Sequence, residues 1–122
     1  MLKLASFAAV AVLAATPLAA QAAQHSATCF RTDDIQNTKM TPDDRAMYLR
    51  SSTGAFYKIE FGGACPNPTD APPVLHPINN TNIVCGPAGL DIKIPGAEGC
   101  IPTKLIRLTP AEVAKIPPAQ RP

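Results

Sequence analysis

The sequence predicts a mainly β protein, in which a small antiparallel sheet curls into a barrel or sandwich, with a short C-terminal helix and two disulfides. Three observations lead to this fold class. Short segments of alternating apolar and polar residues recur, without the intervening helical segments that a parallel sheet requires. The 14 prolines and 7 glycines fall largely between these segments and keep the strands short. Four cysteines indicate covalent cross-links.

The first residues have the order of a secretory signal peptide. Lys3 supplies a basic start, an apolar run covers residues 4–15, and residues 20–22 match the A-x-A cleavage pattern. A membrane anchor would need about 20 unbroken apolar residues, and Pro17 interrupts this run. We therefore expect a cleaved signal peptide and a periplasmic or secreted mature chain without a transmembrane span.

The expected mature chain is a single domain of nearly neutral charge. Residues 1–22 are the signal peptide, 23–28 a flexible tail, 29–116 one disulfide-stapled β-rich domain, and 117–122 a proline-rich tail. Loss of Lys3 nearly balances the 11 basic and 9 acidic side chains of the full sequence. The basic residues are spread among carboxylates, whereas a nucleic-acid binder carries a clustered positive face. No nucleic-acid partner is expected.

The cysteines are predicted to form two structural disulfides, because an even number of cysteines in an exported chain is typical of such bridges. A zinc site favours cysteine pairs at short spacing such as C-x-x-C, and a redox site needs two cysteines close together. The sequence contains no such close pair of cysteines. Four cysteines can pair in three ways, and the sequence leaves all three open. The four residues are Cys29, Cys65, Cys85 and Cys100.

A β-hairpin is the clearest local prediction. Residues 45–50 and 55–61 alternate apolar with polar side chains, and residues 51–54 supply turn chemistry. Alternation places one set of side chains on a common face that packs on a core. The apolar face consists of Met47, Leu49, Tyr57, Ile59 and Phe61.

Further strands are expected after a proline-rich segment. Residues 62–77 contain five prolines, which excludes a regular helix or a central strand and predicts a long ordered loop. Residues 82–85 and 90–94 then have strand character, as do residues 101–108 if Pro102 lies at the strand start or on an edge.

Two similar tetrads carry helix-capping chemistry. Thr109-Pro110-Ala111-Glu112 places an N-cap threonine, an N1 proline and an N3 glutamate in capping-box order, and the prolines at 117 and 118 end the helix. The segment 41–44, Thr-Pro-Asp-Asp, is interpreted as a one-turn version of the same device before the hairpin.

No residue pattern identifies an active site. The pairs Asp33-Asp34 and Asp43-Asp44 match no calcium-loop spacing and are interpreted as turn and first-helical-turn residues. His25 and His76 have no motif partner. Because recognised nucleophile, metal and nucleotide motifs are missing from the sequence, we predict no catalytic residue, no metal ligand and no cofactor, and a non-enzymatic role is favoured.

Several short motifs resemble a family of small exported proteins of Gram-negative bacteria that is classed as a domain of unknown function. They are Cys29-Phe30-Arg31, the run from Asp44 to Arg50, Tyr57-Lys58-Ile59 followed by Cys65, Ile83-Val84-Cys85 with Asp91-Ile92, Cys100-Ile101-Pro102, and Leu108-Thr109-Pro110-Ala111-Glu112. The resemblance covers residues 29–115 and implies location and architecture. It implies no activity and no catalytic residues. Some members resemble lipoproteins, whereas this chain lacks a lipobox cysteine.

Two functional hypotheses follow. The first is a non-enzymatic protein that binds an envelope protein or envelope component through its sheet, an edge or the proline-rich loop. Its candidate binding face holds the aromatic and cationic side chains opposite the core face: Tyr48, Arg50, Phe56 and Lys58. The second is a periplasmic domain that binds a metal or small ligand through the aspartates or histidines. A hydrolase with an unrecognised site is the weakest alternative.

Overall fold

The structure is a computed structural model that describes residues 28–98 and 100–122. The predicted signal peptide and most of the predicted tail therefore lie outside the described residues. The strands, in chain order, are β1 (Phe30–Arg31), β2 (Ile35–Met40), β3 (Ala46–Ser51), β4 (Phe56–Phe61), β5 (Val74–Pro77), β6 (Ile83–Val84), β7 (Leu90–Lys93) and β8 (Pro102–Arg107). The helix α1 covers Pro110–Lys115, and short 3₁₀ turns cover Thr32–Asp34, Pro87–Gly89 and Pro118–Gln120.

All strand pairs in the described part of the chain are antiparallel, and they form three sheets. A four-stranded sheet has the order β2-β3-β4-β8, and two-stranded sheets join β1 with β6 and β5 with β7. The mainly β class, the antiparallel pairing, the C-terminal helix and the two disulfides are confirmed. The prolines and glycines between strands explain why several small sheets form instead of one long one.

The predicted hairpin is formed by β3 and β4. Met47 lies opposite Ile59, and Leu49 lies opposite Tyr57. The turn contains Gly54 at φ 84°, a left-handed conformation that glycine adopts without steric cost. Because both strands alternate, their apolar side chains share the buried face.

The core lies between this face of the four-stranded sheet and the two small sheets. Met47, Leu49 and Ile59 have no exposed surface. The ring of Phe30, from β1, lies 5.2 Å from that of Tyr57, measured between centroids. The remaining members of the cluster are Phe61, Cys65, Val84, Leu90, Ile92, Ile94 and Cys100. This arrangement is sandwich-like.

The disulfides join Cys29 to Cys85 and Cys65 to Cys100. The first bridge lies beside the short β1-β6 pair, in which Phe30 is opposite Val84. The second bridge is buried in the core cluster. It holds the start of the proline-rich loop against the chain just before β8. Each bridge therefore fixes a segment that has few ladder hydrogen bonds of its own.

The C-terminal capping box is present as predicted. The Thr109 hydroxyl accepts a hydrogen bond from the Glu112 amide at 3.2 Å, and the Glu112 carboxylate accepts one from the Thr109 amide at 3.4 Å. The helix ends at Lys115, and Ile116 follows it as a buried residue.

The interpretation of residues 41–44 as a one-turn helix is wrong. This segment is the turn between β2 and β3, and Asp44 has φ 59°. The Thr41 amide donates to the Ala46 carbonyl at 2.9 Å, and the Thr41 hydroxyl accepts from the Ala46 amide at 3.1 Å. The chain must reverse here because β2 pairs with β3, so the hydroxyl closes the turn instead of capping a helix.

Three strands were not predicted: β1, β2 and β5. β1 has two residues and β2 has a largely polar sequence without alternation. β5 ends in Pro77, within the segment predicted as a loop. It belongs to a two-stranded sheet, where a strand without one N–H donor is tolerated because, over residues 28–98 and 100–122, its second edge has no partner strand.

Candidate functional site

The structure brings the four predicted binding-face residues together. Tyr48 lies opposite Lys58, and Arg50 lies opposite Phe56. Because residues two apart on a strand point to the same side, the two cross-strand pairs are neighbours on the side of the four-stranded sheet away from the core. We call this side the outer face. Its members are Asn37, Lys39, Ala46, Tyr48, Arg50, Phe56, Lys58, Glu60, Lys104 and Ile106.

The outer face carries an excess of positive charge. Within its four strands, four side chains are cationic and one is a carboxylate, Glu60. Glu60 lies between two of these cations, with carboxylate oxygens 3.5 Å from Lys58 Nζ and 3.5 Å from Lys104 Nζ. The single Glu60 carboxylate offsets only one of the four positive charges, so the face keeps a net positive charge.

Access to the four residues differs. Arg50 is exposed, whereas Tyr48, Phe56 and Lys58 are half-buried among their cross-strand neighbours. At one end of the face a depression of about 620 Å³ is lined by Tyr48 and by charged side chains of both signs: Arg45, Lys58, Asp43 and Glu60. Tyr48 thus lies beside a shallow surface of mixed charge, and Phe56 lies outside it.

A second concave surface was not predicted. A groove of about 900 Å³ follows the whole of β2 on one side and the proline-rich loop on the other. We call it the edge groove, and it is lined by Thr32, residues 35–40, Asp44, Asn67 and residues 70–75. Sequence reasoning missed it because β2 carries no periodic pattern. The only sequence signal for its second wall was the group of five prolines in residues 62–77, which predicted an ordered loop.

The aspartates do not assemble into a metal site. Asp33 lies 3.0 Å from Arg31, whose guanidinium also approaches Asp34 at 3.9 Å. Over residues 28–98 and 100–122, no three His, Cys, Asp or Glu side chains are placed to hold a metal ion. His76 is exposed on β5, and His25 lies outside the described residues. The ligand-binding hypothesis based on these residues therefore has no geometric support in the part described.

The Asp43 carboxylate is held ionised by the turn that precedes β3. Its Oδ1 accepts hydrogen bonds from the Thr41 hydroxyl at 2.6 Å and from the Arg45 amide at 3.2 Å. These bonds, the Thr41 bond first, lower the pKa of Asp43 below its ordinary value of 3.8. Similarly, the hydrogen bond from Arg31 lowers the pKa of Asp33.

We expect Thr41→Val to raise the pKa of Asp43 toward 3.8, because valine keeps the side-chain shape and removes the hydroxyl donor. In the wild type, ionised Asp43 favours the folded state above pH 3.8, and this contribution is lost as pH falls through its lower folded pKa. Carboxyl-carbon NMR titration measures the shift, with Thr38→Val as the control. An unchanged Asp43 titration in Thr41→Val would contradict the assignment.

The cysteines are structural. The described residues contain no free cysteine. Cys65 and Cys100 are buried, whereas Cys29 and Cys85 are exposed. A disulfide has no thiolate, so its sulfurs act neither as a nucleophile nor as thiolate ligands of a metal ion. The two bridges therefore stabilise the domain. Two such bridges are typical of proteins that fold outside the reducing cytoplasm.

Comparisons with known proteins give no relative for this chain: no family model, no curated protein and no solved structure matches it. Among the described residues there is no helix with the length and apolar character needed to cross a membrane.

Proposed function

We propose that this protein is an exported, non-enzymatic binding domain that contacts an acidic surface of an envelope protein through its outer face. The observation that carries this proposal is the register of β3 and β4, which places Arg50 and Lys58 beside Tyr48 and Phe56. Aromatic and arginine side chains are enriched where proteins bind one another.

The charge of the outer face selects the partner. Four cations against one carboxylate favour an acidic surface and speed its diffusional encounter. The signal-peptide pattern and the two disulfides support export to the periplasm or beyond. The order of motifs around the four cysteines supports membership in the family of small exported four-cysteine proteins.

Site-directed photocrosslinking tests this function in the expressing cell. A photoreactive phenylalanine analogue at position 56 is expected to form discrete crosslinks with an envelope protein. The double reversal Arg50→Glu with Lys58→Glu is expected to abolish them, because it converts attraction to repulsion. The matched control reverses two exposed lysines elsewhere, Lys93→Glu with Lys115→Glu, and is expected to keep the crosslinks.

Alanine substitution of all four residues provides an independent test of the outer face. If a probe moved to position 106 of the same face crosslinks as strongly in the quadruple variant Tyr48→Ala, Arg50→Ala, Phe56→Ala, Lys58→Ala as in the wild type, these four side chains do not make the contact. Loss of the crosslinks equally in the Lys93 and Lys115 control would show that net charge, and not this face, determines the contact.

A further inference from the structure

The edge groove contains the edge of β2, which has no partner strand among the described residues. The Thr41 amide donates to the Ala46 carbonyl at 2.9 Å, and Lys39 lies opposite Tyr48. Alternate residues of an antiparallel strand bond to the same neighbour, so residues 37, 39 and 41 face β3. The backbone N–H and C=O groups of Thr38 and Met40 consequently face away from β3, into the groove.

The opposite wall runs antiparallel to β2, and on its edge away from β7 Leu75 offers the N–H, because positions 73 and 77 are prolines. The Cys65 amide donates to the Asp44 carbonyl at 2.7 Å at one end, and β5 contacts the 3₁₀ turn Thr32–Asp34 at the other. The Ile78 amide donates to the Gly89 carbonyl at 3.0 Å, so residues 76 and 78 bond toward β7. The backbone of Leu75, which lines the groove, faces away from β7.

The length of the groove suits one added strand. A strand as long as the six residues of β2 is about 20 Å long, and the groove follows β2 over that length. Because residues 70–75 form its far wall, the groove accommodates a single extended chain better than the edge of a second folded domain.

The two ends of the groove differ in chemistry. Asp44 and Asp70 lie toward the end where the proline-rich loop begins and line the groove together with one cation, Lys39, so the charged lining has an excess of one negative charge. Neither aspartate takes part in an ion pair among the described residues. Ile35, Val74 and Leu75 give the other end an apolar character. This polarity favours a chain with a basic side chain near Asp44 and an apolar side chain near Leu75.

We propose that the edge groove binds an extended peptide segment of a partner protein, which adds to β2 as a further strand. The peptide bonds to the backbone of Thr38 and Met40, and Asp44 and Asp70 attract its basic residue. The register shift between Ile35 and Asn37 limits pairing at the other end of β2, which restricts the strand addition to the 38–40 region. This surface is separate from the outer face.

The test uses the full mature domain and a phage-displayed library of random linear peptides. Enriched peptides are expected to bind the wild type and Thr38→Ala equally and Thr38→Pro roughly tenfold more weakly, because proline removes the edge N–H and places a ring there. Folding survives, since this N–H does not bond to β3. Asp44→Asn with Asp70→Asn is expected to weaken the enriched peptides that carry a basic residue.

Hydrogen exchange gives a second measurement on the same complex. Bound peptide is expected to slow exchange of the Thr38 and Met40 amides. The proposal is overturned if no peptide is enriched, or if enriched peptides bind Thr38→Pro as tightly as they bind the wild type. It is also overturned if a second copy of the protein occupies the groove, which would be seen as a concentration-dependent dimer that is lost in Thr38→Pro. Peptide binding retained in Arg50→Glu with Lys58→Glu separates this proposal from that for the outer face.

Discussion

Replacement of Cys65 and Cys100 by alanine together is expected to lower the free energy of unfolding by about 5 kcal/mol. The bridge closes a loop with a sequence separation of 35 residues, which contributes about 4 kcal/mol by restricting the unfolded chain. Both sulfurs also lie in the core, where Cys65 is 1% exposed and Cys100 is 9% exposed, and their loss leaves unfilled volume worth about 1 kcal/mol. Urea unfolding measures the difference.

The exposed bridge is the matched control. Its separation of 56 residues gives a loop-closure contribution that is also about 4 kcal/mol, because the entropy grows only with the logarithm of loop length. Cys29→Ala with Cys85→Ala is therefore expected to destabilise less than the buried pair, since it loses no core packing. A larger loss for the exposed pair would show that loop length outweighs burial. A domain of this size has a net stability of about 5–15 kcal/mol, so either loss is severe.

Ile59→Ala is expected to lower the free energy of unfolding by about 2–5 kcal/mol, the range for removing a large aliphatic side chain from a core. Ile59 has no exposed surface and lies on β4, an interior strand, between Met47 of β3 and Leu105 of β8. Neighbours on both sides prevent the site from collapsing around the cavity. Urea or thermal unfolding followed by circular dichroism measures the effect.

Lys58→Ala, at the preceding residue, is the matched control. Lys58 points to the outer face and makes a partly exposed ion pair with Glu60, so its loss is expected to change the free energy of unfolding by less than about 1 kcal/mol. Equal losses for the two variants would contradict the assignment of inner and outer faces. A stable Lys58→Ala protein would also show that the Lys58 side chain is not needed for folding.

The edges of the fold show where sequence patterns stop being informative. β3 and β4 could be predicted because they are buried on one face, which requires alternation such as that of Tyr57, Ile59 and Phe61. In the part of the chain that the structure describes, β2 has only one neighbouring strand, and most of its side chains reach solvent or the groove, so no such requirement acts on Gln36 or Asn37. Its strand conformation follows from pairing with β3, a contact between segments and not a local preference.

The same reasoning separates the two surfaces. The outer face could be predicted because the residues opposite an apolar alternation must lie together once the hairpin forms. The edge groove could not, since it depends on where the proline-rich loop returns, and the Cys65–Cys100 bridge and the Cys65–Asp44 hydrogen bond decide that position.

The sequence by itself determined the mainly β class, the hairpin and its two faces, the capped C-terminal helix and the involvement of all four cysteines in disulfides, because alternation, capping and cysteine number are local or compositional properties. Only the tertiary structure decided the pairing of Cys29 with Cys85 and of Cys65 with Cys100, the division into three sheets, and the groove beside β2. These depend on contacts between distant segments, whose geometry is set by the packing of the whole core and is not encoded at any one position.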